Sequence, residues 1–171
     1  MRHVDCMLCE RRKEDGRVAG LELKVPPDVV LLVVAGLMWL AAALTPPLEV
    51  APLGYRVVVA AIVTLLAVTL VAAAKTALAR AGTTSDPRRP DQAVCLVTTG
   101  AYRFTRNPIY LAMMLALLAW AVLLSNPVSA CVSAAFAAYI GRFQIRPEER
   151  ALRDRLGQGY AEYAHGVRRW L

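Results

Sequence analysis

An all-α integral membrane bundle is the fold predicted for this 171-residue chain, and three observations predict it. Apolar residues make up 57% of the sequence, a high share for a soluble protein. They are clumped into four blocks, Val29 to Leu44, Val57 to Ala74, Ile109 to Leu124 and Val128 to Ile140. None of these blocks contains an acid or a base, whereas a soluble bundle would carry charged stripes at helical spacing. At about 1.5 Å per residue the blocks reach roughly 20 to 27 Å, so apolar flanks such as Val25 and Phe143 are needed to approach the ~30 Å hydrocarbon layer.

Basic residues set the expected topology, because short inner loops hold the excess of Lys and Arg. Six precede the first block, only Arg56 lies by the turn between the first and second, six separate the second and third, none separates the third and fourth, and seven follow. Four spans with both termini inside satisfy this alternation. The net charge of +7 then belongs to the cytoplasmic face, where anionic headgroups attract it. No basic face interleaved with aromatic residues suggests a nucleic-acid partner. No span carries an ionisable residue of the kind that marks a transport pathway.

Taken in order, residues 1–24 form a polar segment expected to be mobile, and residues 25–171 a single transmembrane domain. Cys6 and Cys9 make one CxxC pair, too few ligands for a closed metal site, so no metal is expected. Cys95 and Cys131 read as reduced, packed thiols. Pro26, Pro27 and Asp28 suit the first turn of span one, and Trp39 an interfacial anchor. Span two runs to Lys75, which can snorkel, and continues helically to a stop at Gly82. Gly82 to Asp91 has the composition of a loop.

Two junctions between polar and apolar sequence stand out. At the first, Gly100 to Tyr110, Asn107 can cap and Pro108 can open span three, so exposed N–H groups with Arg103 and Arg106 form a positive corner. Ser125-Asn126-Pro127 repeats that grammar, which makes spans three and four a tight antiparallel hairpin with adjacent inner ends. The second junction, Arg142 to Leu152, then brings Glu148 and Glu149 beside Arg106 and Asn107. Pro147 is expected to start a new helix with these acids in its first turn. Leu152, Leu156, Tyr160, Tyr163, Val167 and Trp170 recur at helical spacing against arginines, an amphipathic tail broken by Gly157 and Gly159.

Gly-Ala-Tyr-Arg-Phe-Thr-Arg-Asn-Pro-Ile-Tyr-Leu, followed by Arg-Pro-Glu-Glu-Arg-Ala-Leu, Gly-Gln-Gly-Tyr-Ala-Glu-Tyr and a closing Val-Arg-Arg-Trp, resembles the isoprenylcysteine carboxyl methyltransferase and phospholipid methyltransferase superfamily, most closely its small bacterial members. The likeness covers about residues 83–171. It implies S-adenosyl-L-methionine as cofactor, bound at the cytoplasmic ends of the last spans in a bacterial inner membrane. It implies methyl transfer to a lipidic or amphiphilic carboxylate or amine, with membrane lipids as partners. Carried over, Tyr102, Arg106, Asn107, Pro108 and Tyr110 would bind the cofactor together with Glu148 and Glu149. Arg142, Arg146 and Glu149 would assist the transfer. The chain departs from the carboxyl methyltransferases at Asn107, where they have histidine, and at Gln144, where they have arginine, which leaves the acceptor open. An alternative reading of the same features is a non-enzymatic membrane scaffold or lipid-binding module.

Overall fold

The computed structural model describes residues 25–48, 51–82 and 95–171, all helix, turn or loop. Residues 1–24 with Cys6 and Cys9, residues 49–50, and residues 83–94, which hold most of the segment expected as a loop, lie outside the described residues. The helices are α1 (Pro27–Leu44), α2 (Leu53–Arg80), α3 (Pro108–Leu124), α4 (Pro127–Ile140), α5 (Arg146–Leu156) and α6 (Gln158–Gly166). The first four coincide with the four apolar blocks. α1, α2 and the continuous helix Pro127–Leu156 are long and apolar enough to cross a membrane, whereas α3 is apolar but has 17 residues. Three helices long enough to span and one shorter apolar helix thus stand where four spans were expected.

α1 buries Val30, Val34 and Met38, one residue per turn, against α3 and α4. Other large residues, among them Leu32, Val33 and Leu37, point outward, as lipid-facing residues do. α2 is the reverse of a soluble helix: its buried residues are Ala60, Ala67, Ala74 and Ala77, while Ile62, Leu65 and Leu66 are exposed. Burial at a spacing of seven with alanine lets the α2 backbone approach α3 closely, where Ala112 and Ala119 are likewise buried. Polar side chains add links between helices: Trp120 Nε1 donates to the Ala35 carbonyl at 3.2 Å and the buried Ser129 hydroxyl to that of Met38 at 2.6 Å.

The α3–α4 hairpin turns on Ser125, in the left-handed region at φ 48°, and Asn126. Asn126 caps α4 by accepting from the Ser129 N–H at 3.0 Å. Its amide N–H group donates to the Thr45 carbonyl, the Thr45 hydroxyl and the Pro46 carbonyl, so one buried side chain holds the end of α1 to the hairpin. Cys95 is buried and donates to the Ala81 carbonyl, Cys131 is exposed, and neither is disulfide-bonded.

At the other end α4 does not stop. A single π-turn, Gly141–Ile145, carries it into α5, with the Arg146 N–H on the Gly141 carbonyl. Pro147 has no N–H to give, and the wide turn upstream accommodates its ring without a break. Glu148 and Glu149 therefore sit inside a continuous helix. The expected helix start at Pro147, and the dipole reading of its acids, do not hold.

Replacing Asn126 by alanine removes the cap and the two N–H donors shared among the acceptors at Thr45 and Pro46, so a loss of about 2 kcal/mol is expected. Thermal unfolding in detergent checks this, and an unchanged midpoint would remove the corner from the account of the fold.

Candidate functional site

Three segments meet at the N-terminal end of α3. The loop before it turns on Gly100, at φ 62°, and comes so close to α2 that a Cβ at Gly100 would lie 3.5 Å from that of Ala77. A 3-10 turn, Gly100–Arg103, then leads through Thr105, Arg106 and Asn107 into Pro108. Asn107 does not cap α3 with its side chain. Its amide donates instead to the Arg169 carbonyl at 2.9 Å, beside the Thr105 hydroxyl at 3.1 Å on the same oxygen. The Arg106 N–H donates to the Arg168 carbonyl at 3.0 Å.

These acceptors belong to the tail, which leaves the helix after Gly166 in extended conformation and lies against the loop. Val167 and Trp170, expected on an amphipathic helix, thus belong to a clasp, with Trp170 packed on the core.

The two glutamates differ sharply in what they bind. Glu149 is buried and receives the Arg169 guanidinium in a fork, Nε at 3.1 Å and a terminal N at 2.6 Å, together with Arg106 at 3.2 Å. Its carboxylate is largely occupied. Glu148 accepts from the Tyr110 hydroxyl at 3.1 Å and has no ion pair among the described residues. On the other side, Tyr160 is buried beside Arg106, and Tyr163 donates to the Tyr102 carbonyl at 2.8 Å. Burial pushes the hydroxyls of Tyr102, Tyr160 and Tyr163 up, Tyr160 from 10 to about 12, so all three remain protonated donors at neutral pH.

Around these groups lies a cavity of about 670 Å³, within the ~300–1,000 Å³ typical of small-molecule sites. Tyr102, Arg106, Asn107, Glu148, Glu149, Tyr160 and Tyr163 form its polar end, joined by Asp28 of α1 and Lys75 of α2. Thr64, Ala67, Val68 and Val71 of α2 and Ala112, Met113 and Ala116 of α3 form an apolar extension.

All seven residues expected to bind a cofactor line this one cavity. Arg142 and Arg146, expected to assist transfer, do not line it. They occupy an exposed face of the helix at i, i+4 spacing, Arg142 lying over the Phe143 ring at 5.4 Å, while Gln144 and Ile145 between them are buried. Gln144 donates to the Val25 carbonyl at 2.6 Å, toward the start of α1. Arg103 is exposed and is absent from the lining as well. Asp28, Lys75, Tyr160, Tyr163 and Arg169 join the site from positions that sequence reasoning gave to helix starts, snorkelling and the tail.

A model of the phospholipid methyltransferase family matches residues 55–159, from the start of α2 into α6. An uncharacterised protein of Haemophilus influenzae is 40% identical over 63 residues, its whole length and 37% of this chain. Two Arabidopsis thaliana proteins, protein-S-isoprenylcysteine O-methyltransferases B and A, are 39% and 41% identical over 75 residues, 42% of this chain. The chain covers 36% of the length of each plant protein.

Two outcomes test the clasp and the tyrosines. Arg169→Ala should cost about 1–3 kcal/mol, discounted for the partial exposure of Arg169, and Arg169→Lys should recover only part because an ammonium cannot fork. Equal midpoints for the two variants in thermal unfolding would dismiss the fork. Because the folded-state value of Tyr160 is raised, stability is present below pH 10 and lost between about 10 and 12. A helical signal that holds unchanged up to pH 12 would contradict this.

Proposed function

Because the chain belongs to the phospholipid methyltransferase family, within the superfamily that also holds the isoprenylcysteine methyltransferases, we propose that it transfers a methyl group from S-adenosylmethionine to a lipidic or amphiphilic acceptor at the cytoplasmic face of a membrane. The observation that carries this reading is the cavity itself: an uncommitted carboxylate and several tyrosines at one end, and an apolar channel between membrane helices at the other. Exposed Arg80, Arg103, Arg146, Arg150 and Arg153 lie on the last turn of α2, the turn before α3 and the helix of Glu148 and Glu149, elements that also supply the polar end, which supports a cytoplasmic orientation.

The donor set suits the cofactor. Glu148 offers a carboxylate without a cation of its own, fit for an ammonium or a pair of ribose hydroxyls. Tyr102 and Tyr110 bring aromatic rings to the same cavity, where a sulfonium is attracted to a ring face. The Arg106 Nε is buried and unpartnered among the described residues, a donor left over for a ligand oxygen. Glu149 supports the cofactor indirectly, by holding Arg106 and the tail in place.

When bound, the cofactor supplies an electrophilic methyl group on a sulfonium, and displacement needs an in-line acceptor rather than a protein nucleophile. The chain's task is alignment and exclusion of water. Tyr110 holds Glu148 by its hydroxyl, and the tail keeps Arg106 and Asn107 at the mouth of α3. Met113 and Ala116 line the wall along which a lipid chain would approach.

Calorimetry of the protein in detergent with S-adenosylhomocysteine tests the proposal. Binding is expected, and Glu148→Gln should weaken it about tenfold or more, the contribution of one charge-assisted contact. A folded protein that binds none of it would sink the cofactor assignment, and undiminished affinity in the variant would remove Glu148 from the site.

A further inference from the structure

The cavity has a wall that the cofactor reading leaves unused. Thr64, Ala67, Val68, Val71, Lys75 and Leu78 of α2 recur at helical spacing and form one stripe along it. Lys75 is the stripe's one charge, and among the described residues it makes no ion pair. The cavity's other cation, Arg106, is engaged by Glu149. The acidic groups without a cation among the described residues, Asp28 and Glu148, come from α1 and α5; burial pushes Glu148 up to about 7, so the acids lie on those helices, with Asp28 the more fully charged, and the free positive charge lies on α2.

A second hollow, shallow and wide open on the outward surface, continues the stripe. It is lined by Val57, Ala61 and Leu65 of α2 and Leu123 of α3, and it shares Thr64 and Val68 with the first. From Lys75 to Thr64 the stripe runs about 16 Å, and on to Val57 about 27 Å, close to the ~30 Å depth of a hydrocarbon layer.

We propose that α2 is the acceptor rail: Lys75 anchors an anionic headgroup, carboxylate or phosphate, and a single long alkyl or isoprenoid chain lies along the α2 stripe across Thr64 and Val68 into the second hollow. Charge complementarity selects this occupant. A cationic cofactor belongs by the carboxylates of α1 and α5, and an anionic amphiphile by the lysine of α2. Thr64 and Val68, common to both hollows, set how long a chain is accepted. The inference rests on the methyltransferase reading for the cofactor's place, and its test separates the two.

The experiment measures binding of oleate, oleyl phosphate, oleyl alcohol and octanoate to the full chain in nanodiscs, with S-adenosylhomocysteine affinity measured on every sample. Lys75→Gln should weaken oleate or oleyl phosphate about tenfold, spare oleyl alcohol and leave the cofactor analogue unchanged, and Lys75→Arg should restore the loss. The more strongly affected anion identifies the headgroup. Thr64→Trp should weaken oleate far more than octanoate, with unchanged affinity for the analogue reporting an intact fold. Weaker analogue binding in Lys75→Gln would assign the lysine to the cofactor and overturn the rail, as would undiminished binding of both anions or equal losses for long and short chains. Absence of analogue binding in the unaltered protein would instead count against the methyltransferase reading.

Discussion

The arrangement depends on one buried carboxylate. Glu149, on the helix that follows the π-turn, is held by Arg106 from the loop before α3 and by Arg169 from the tail. A carboxylate withdrawn from water needs partners that replace the lost hydration, and two guanidiniums do so here. The same contact ties together three segments distant in sequence. With Arg169 fixed by its side chain, its carbonyl is in place to receive Thr105 and Asn107, and the carbonyl of Arg168 to receive the Arg106 N–H. The polar end of the cavity is thereby built largely from backbone and side chains that hold one another.

Satisfying Glu149 in this way determines what its neighbour can do. Were both glutamates uncommitted, two adjacent carboxylates would repel at close range in a site of restricted solvent access. With Glu149 neutralised from the tail side, Glu148 remains the carboxylate available to a ligand, steadied by Tyr110. The π-turn contributes by changing the register of the helix just before the pair, and by admitting Pro147 without ending the helix. A separate helix starting at Pro147 would have placed both acids at a free N-terminus, where the dipole rather than the arginines would have held them.

Much of the bundle was legible in the sequence. The four apolar blocks match α1 to α4, Asn126 caps as its Asn-Pro signature indicates, and Gly157 at φ 57° separates α5 from α6. Seven of the residues expected around the cavity reach it because a hairpin brings their two junctions together. What stayed hidden depends on contacts without a local signature. Asn107 carries the same cap-and-proline pattern as Asn126, yet its side chain turns to the tail, because a carbonyl 62 positions away competes for it. Arg142 and Arg146 read as site residues from proximity in sequence, but a helical path through the π-turn puts them on its exposed face. Lys75 and Tyr160 fit the bland patterns of a snorkelling base and an amphipathic tail, and only packing reveals the cavity between them.

The use of alanine on α2 connects the membrane packing to the site. Small residues at a spacing of seven give α2 its close approach to α3, since lipid offers apolar side chains nothing that water-driven burial would. The large side chains are consequently left on the outward surface, and the face turned toward the cavity stays shallow, with Ala67 between Thr64 and Val68. A wall of small and β-branched residues cannot fill the space between α2 and α1, which pack chiefly on α3 and α4 rather than on each other. The space therefore persists as a lengthwise channel beside a compact polar end. The proposed transfer from a water-soluble donor to a membrane-embedded acceptor would require both environments within one cavity, and the alanine interface between α2 and α3 leaves room for the second of them.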